Sequence, residues 1–198
     1  MRGIASEFGW DSKDGWIYRT TKILFFSVLV VVHAKEPQLV YFLHFKWRVF
    51  DELFWSIVNM EENATEPLSF RASGAFTAPA TMIAQGHVPI GAWAKDDVDR
   101  AVREIMSVCQ DASQGLVVQI GGLDDNLDVV ESQFRLTGVD TANGIWRERL
   151  FTSILKGNWE DAQKIARDRI NCHDLGGFEV HGQSFYQLAD EYIARRGQ

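Results

Sequence analysis

The chain has 198 residues, 46% of them hydrophobic, and its 20 Lys and Arg against 27 Asp and Glu give a formal charge of −7. That apolar content suffices for a substantial core, in one large domain or one domain with an appended helical piece. An acidic chain without a run of Lys or Arg lacks the electrostatic footprint of a nucleic-acid-binding protein. Cys109 and Cys172 are too few for a disulfide framework and read as the reduced thiols of a cytoplasmic protein.

Ile4 and Phe8 are spaced as on one helical face, which predicts a short N-terminal helix. Asp14-Gly15 is a turn signal, and residues 16–21 alternate large and polar side chains as an early strand. Residues 23–34 are apolar except for Ser27 and His33. The turn-forming Lys35-Glu36-Pro37-Gln38 follows, and then a second apolar run over 39–46. Two tightly joined strands are the natural reading, and the rest of the chain is organised around this hairpin.

The expected register sets Ala34 opposite Leu39, Val32 opposite Tyr41, Val30 opposite Leu43, Val28 opposite Phe45 and Phe26 opposite Trp47. One face is then apolar along its length. A slip of one residue would bring His33 and Ser27 beside the aromatic row, where unpartnered burial costs roughly 1–3 kcal/mol. A slip of two leaves the faces unchanged. The opposite face carries Phe25, Ser27, Leu29, Val31 and His33 against Val40, Phe42, His44 and Lys46. It is too apolar for open water and is expected to be covered by the N-terminal segment or by a second copy.

Residues 23–32 also have the length of a signal-peptide core. The acidic Glu7, Asp11 and Asp14 upstream and the matching strand downstream favour the hairpin. The block is too short to span a bilayer, which takes about 20 residues.

From Trp47 the period becomes helical, with Val49, Phe50, Leu53, Phe54, Ile57 and Val58 in one stripe and Asp51, Glu52 and Ser56 away from it. This helix is expected to return over the sheet. Leu68, Phe70, Ala72, Gly74 and Phe76 alternate as a half-buried strand, and residues 86–93 read as a last strand with Val88, Ile90 and Ala92 on one side. Pro89 places that strand at an edge.

Asp96 and Asp97 start a helix whose buried stripe is Val98, Ala101, Val102, Ile105, Met106, Cys109 and Ala112. Gly115 is expected to break or bend it. Residues 116–120 are a buried strand or the helix end, with helix preferred. Leu123, Leu127, Val130 and Phe134 share a face of the next segment. Residues 145–156 and 159–170 form a helical pair, with Gly157 ending the first and Asn158 placed to cap the second. Ser184 and Gln187 make a capping box before a last helix that buries Phe185, Leu188 and Tyr192.

The pattern predicts an α+β fold: a mainly antiparallel sheet of four to five strands on a central hairpin, helices on one face, and a helical C-terminal half. Residues 1–198 form a single domain, sheet-rich over 1–94 and helical over 95–198.

Phe8-Gly9-Trp10, Trp16-Ile17-Tyr18-Arg19, the hairpin, the helix from Asp97 and Leu123-Asp124-Asp125-Asn126-Leu127 before a helical pair together resemble a bacterial domain-of-unknown-function family of small α+β proteins. The resemblance covers roughly residues 1–170. It implies the fold and a bacterial origin, and it brings no catalytic residue.

The expected function is a non-enzymatic binding or protein-interaction module, cytoplasmic and without a cofactor. Its interaction face holds Phe25, Leu29, Val31, Phe42 and His44, and its partner is a second copy or another protein, not nucleic acid or membrane. The alternative is a small enzyme or metal-binding protein using Cys172, His173, Asp174, Glu179 and His181, of which His173, Asp174 and His181 are the candidate ligands.

The spacing of that cluster fits no standard zinc pattern. His33 and His44 share a face but lie several pairs apart. Asp124, Asp125, Asn126 and Asp128 lack the alternation, central Gly and terminal Glu of an EF-hand and read as an acidic helix start. Phosphate-binding Gly loops, nucleophile elbows and His-Glu-x-x-His pairs do not occur.

Overall fold

A computed structural model describes residues 1–33, 35–73, 76–137 and 142–197. In chain order the elements are α1 (Arg2–Glu7), β1 (Asp11–Lys13), β2 (Trp16–Thr20), β3 (Leu24–His33), β4 (Gln38–Trp47), α2 (Val49–Ile57), α3 (Phe70–Ser73), β5 (Thr81–Pro89) and α4 (Lys95–Gln119). They continue with α5 (Leu123–Thr137), α6 (Ala142–Leu155), α7 (Trp159–Asn171), β6 (Glu179–Val180), β7 (Gln183–Ser184) and α8 (Phe185–Arg196). The fold is α+β with a helical C-terminal half, and among the described residues no helix is long and apolar enough to cross a membrane.

The chain divides into two compact units that do not follow chain order: Met1–Arg48, Pro67–Ala75 and Ala80–Gln119 form one, Val49–Glu66, Phe76–Pro79 and Ile120–Gln198 the other. The long helix α4 therefore belongs with the sheet, and α2 with the C-terminal helices.

The first unit is a five-stranded antiparallel sheet in the order β1-β2-β3-β4-β5. Within the hairpin Val32 faces Leu39, Val30 faces Tyr41, Val28 faces Leu43, Phe26 faces Phe45 and Leu24 faces Trp47. This is the expected register displaced by two residues, so the same side chains share each face. Pro37 falls between the paired residues His33 and Gln38, outside the ladder, and Ala34 lies outside the described residues. Leu24, Phe26, Val28, Leu43 and Phe45 are each 1% exposed or less.

The helix on this face is α4, whose Val102, Ile105, Met106 and Cys109 are fully buried. Arg19 of β2 fastens it by donating to Gln110 at 2.9 Å and to the Ser113 hydroxyl at 2.8 Å, while its guanidinium stacks 4.7 Å from Trp10. Trp10 Nε1 donates to the same Gln110 at 2.8 Å.

Several expectations are corrected here. Phe70–Ser73 is a short helix, not part of a strand; Gly74 lies outside the described residues. The last strand spans Thr81–Pro89 instead of 86–93, and it does lie at an edge with Pro89 at its end. A bulge between Leu43 and His44 interrupts its ladder, so no single alternation runs through it. Gly86 passes under the Tyr41 ring, which would stand 2.8 Å from a Cβ. α4 continues through Gly115 to Gln119, so the glycine does not break it and residues 116–119 are helical. The short strand β1 had no signal in the sequence.

The second unit is helical around an aromatic cluster. Phe50 meets Phe151 at 5.0 Å between ring centroids, and Phe54 lies 5.2 Å from Phe178 and 5.7 Å from Phe185. Asp51, expected on the polar side of α2, is 0% exposed and accepts the Ala78 amide at 2.9 Å. Trp55 Nε1 donates to the Phe76 carbonyl. Ser184 and Gln187 form the expected capping box of α8, whereas the Asn158 side chain makes no capping bond to α7.

Phe45→Ala is expected to lower the stability measured by urea unfolding by about 3–5 kcal/mol, and Val32→Ala, 59% exposed, by about 0.5 or less. Burial pushes the Cys109 thiol up to about 12, while Cys172 is exposed. A thiol reagent at pH 8 is expected to modify one cysteine of the folded protein quickly and the second only on unfolding. The folded-state pKa of Cys109 is raised, so its contribution to stability is complete below its unfolded pKa and is lost as pH rises toward 12.

Candidate functional site: the uncovered face of the sheet

The face of the sheet opposite α4 carries the odd residues of β3 and the even residues of β4. Among the described residues of this unit, it is covered at one end. Lys46 is 3% exposed, donates from Nζ to the Arg71 carbonyl of α3 at 3.0 Å, and stands 5.5 Å from the Phe25 ring. Phe25 in turn stacks on Tyr18 at 6.2 Å. Phe25 is 1% exposed and therefore leaves the expected interaction face.

Beyond that end the face opens. Leu29, Val40, Phe42 and His44 are half-buried and Val31 is 41% exposed. Trp16, paired with Leu29, and Tyr18, paired with Ser27, continue the apolar surface on β2, and both are half-buried. The neighbours on β5 are polar: Gln85 faces Phe42 and His87 faces Val40, both exposed. A row of aliphatic and aromatic groups with a polar border is the anatomy of a protein contact.

His44 sits where this face closes. Burial holds its pKa below the ordinary 6.5, against a hydrogen bond with the Phe42 backbone that raises it. His33 is exposed at the hairpin tip, facing Gln38, and the two imidazoles do not meet.

The alternative site disperses. Cys172, His173, Glu179 and His181 point to solvent, and among the described residues no three His, Cys, Asp or Glu are arranged to hold a metal ion. Backbone geometry explains their clustering in sequence. His173 takes φ 56° just past α7, its amide donating to the Ile170 carbonyl, and His181 with Gly182 takes φ 50° and 77° in the turn between β6 and β7. Both are turn formers. Asp174 is turned inward, where its Oδ1 accepts the Gly176 amide at 2.8 Å. Arg147 donates to the Gly176 carbonyl at 2.8 Å and straps this loop to α6.

Asp124 and Asp125 likewise serve a helix start. Asp125 accepts the Gly121 and Gly122 amides at 2.9 and 3.0 Å, and Asp124 pairs with Lys156 at 2.7 Å.

A groove of about 590 Å³ runs over α5, α6 and α7, with Leu127, Trp146 and Ile165 among its apolar lining. Trp146 lies between the guanidinium groups of Arg149 and Arg169, at 4.8 and 4.5 Å. Arg149 is held by Glu131 at 2.8 Å. Its residues come from three helices, and only the i, i+3, i+7 spacing of Asp124, Leu127 and Glu131 hinted at it. The charges at its mouth are largely spent on one another, which leaves the sheet face as the better site.

No family model, curated protein or solved structure matches the chain.

The depressed folded-state pKa of His44 contributes stability that is present above its unfolded value and lost as pH falls. Urea midpoints are expected to drop from pH 7 to pH 5 in the wild type, and by less in His44→Gln.

Proposed function

We propose that this protein is a non-enzymatic interaction module whose uncovered sheet face meets a second copy of the chain. The observation that supports the reading is the row Leu29, Val31, Val40 and Phe42, half-buried or exposed on the sheet. A second copy fits because the hairpin supplies an uncharged surface on a chain of charge −7, so two copies can approach there with least repulsion.

A bacterial, cytoplasmic setting belongs to the same proposal. The cytoplasmic part is supported by two free cysteines, one of them sealed in the core, which suit a reducing compartment.

Light scattering is the test. The wild type is expected to run as a dimer, with Phe42→Asp shifting it toward monomer while its circular dichroism stays unchanged. A wild-type monomer at every concentration would refute the reading.

A further inference from the structure

We infer that the groove over α5, α6 and α7 binds a small primary amine, its ammonium beside Asp161 and Thr152 and its apolar body running toward Trp146. The inference concerns the helical unit and does not depend on the sheet-face contact.

The groove has the form of a small-molecule site. Its volume of about 590 Å³ lies within the roughly 300–1,000 Å³ of such sites. Each helix supplies an apolar side chain, Leu127 from α5, Trp146 from α6 and Ile165 from α7, and all are half-buried. Thr152 lines it as well. That residue is 4% exposed, and its hydroxyl is buried without a hydrogen-bond partner. An unpaired buried hydroxyl destabilises a fold, and a ligand that brings a donor relieves it.

The charges of the lining decide the sign of the ligand. Lys156 is held by Asp124 at 2.7 Å and Arg149 by Glu131 at 2.8 Å, so the wall between α5 and α6 is neutralised. The remaining charges stand on α7, where Asp161, Lys164 and Asp168 enter no ion pair among the described residues. Two carboxylates against one ammonium leave that wall negative, and a cation is its complement.

The arginines set the orientation. α6 and α7 are joined only by Lys156 to Asn158, and so short a connection makes them antiparallel neighbours. Thr152 and Ser153 are thereby set level with Asp161, and Trp146 with Asp168, as the Arg169 guanidinium 4.5 Å from the Trp146 ring requires. Arg149 and Arg169 both lie against that ring, and together they repel a third cation. The opposite end offers the Asp161 carboxylate and the Thr152 hydroxyl, both acceptors for an ammonium N–H. From Ser153 to Trp146 the groove follows α6 for about 10 Å at the helical rise, the length of an extended alkyl chain of about eight carbons.

Titration calorimetry of the full chain with octylamine, propylamine and octanoate is the test. Octylamine is expected to bind one to one, propylamine at least about tenfold more weakly because it leaves the apolar lining bare, and octanoate not at all. Asp161→Asn and Thr152→Val are each expected to raise the octylamine dissociation constant about tenfold, with circular dichroism unchanged. Asp168→Asn is expected to change it about twofold or less. Asp161 is exposed, so its variant carries the test should Thr152→Val disturb the fold. A wild type that does not bind octylamine would overturn the site, and octanoate bound as tightly as octylamine would overturn ammonium recognition. Octylamine binding indifferent to Asp161→Asn and Thr152→Val is adsorption to an acidic surface and would also overturn the site. A loss in Asp168→Asn without one in Asp161→Asn would overturn the orientation.

Discussion

The sheet-bearing unit depends on one constraint, the two-residue parity of the hairpin. Even-numbered side chains of β3 and odd-numbered side chains of β4 must lie together beneath α4, because Phe26, Leu43 and Phe45 can leave water only there. Fully burying such a side chain contributes about 1.5–3 kcal/mol. Ser27, His44 and Lys46 are thereby sent to the other face. That division leaves over an opposite face that is capped at one end by α3.

The helical unit is held by a different device. Phe50, Phe54, Phe151, Phe178 and Phe185 come from four separate stretches of chain and meet as tilted, edge-on and stacked rings. The buried Asp51 of the same helix as Phe50 and Phe54 is partnered by taking the Ala78 amide. The strap from Arg147 to the loop after α7 does the same for a segment with little apolar content of its own.

Much of the architecture was legible where a local signal and a tertiary demand agree. The hairpin faces, the Pro89 edge and the Ser184 capping box each rest on a few neighbouring residues, and each stands in the structure. The failures have local causes too. Leu68, Phe70 and Ala72 alternate, yet they include no β-branched residue, and Phe70–Ser73 form a turn of helix instead. The start of β5 is hidden in the sequence because its bulge moves the alternation by one residue near Met82 and Ile83, and a period that changes phase looks like no period. Cys172, His173, Asp174 and His181 resembled a ligand set because turn geometry and metal chemistry favour overlapping residue types.

The sequence by itself determined the periodicities, the punctuation and the faces of the hairpin, since these depend on backbone sterics and on side chains a few residues apart. Only the tertiary structure decided that α4 belongs with the sheet and α2 with the C-terminal helices, that Phe25 is sealed beside Lys46, and that the β2 ladder ends opposite Leu29. Those outcomes turn on which of several comparably apolar surfaces meet. That is a competition between distant segments, and hydrophobic burial, being non-directional, leaves no mark of its winner in any one stretch of chain.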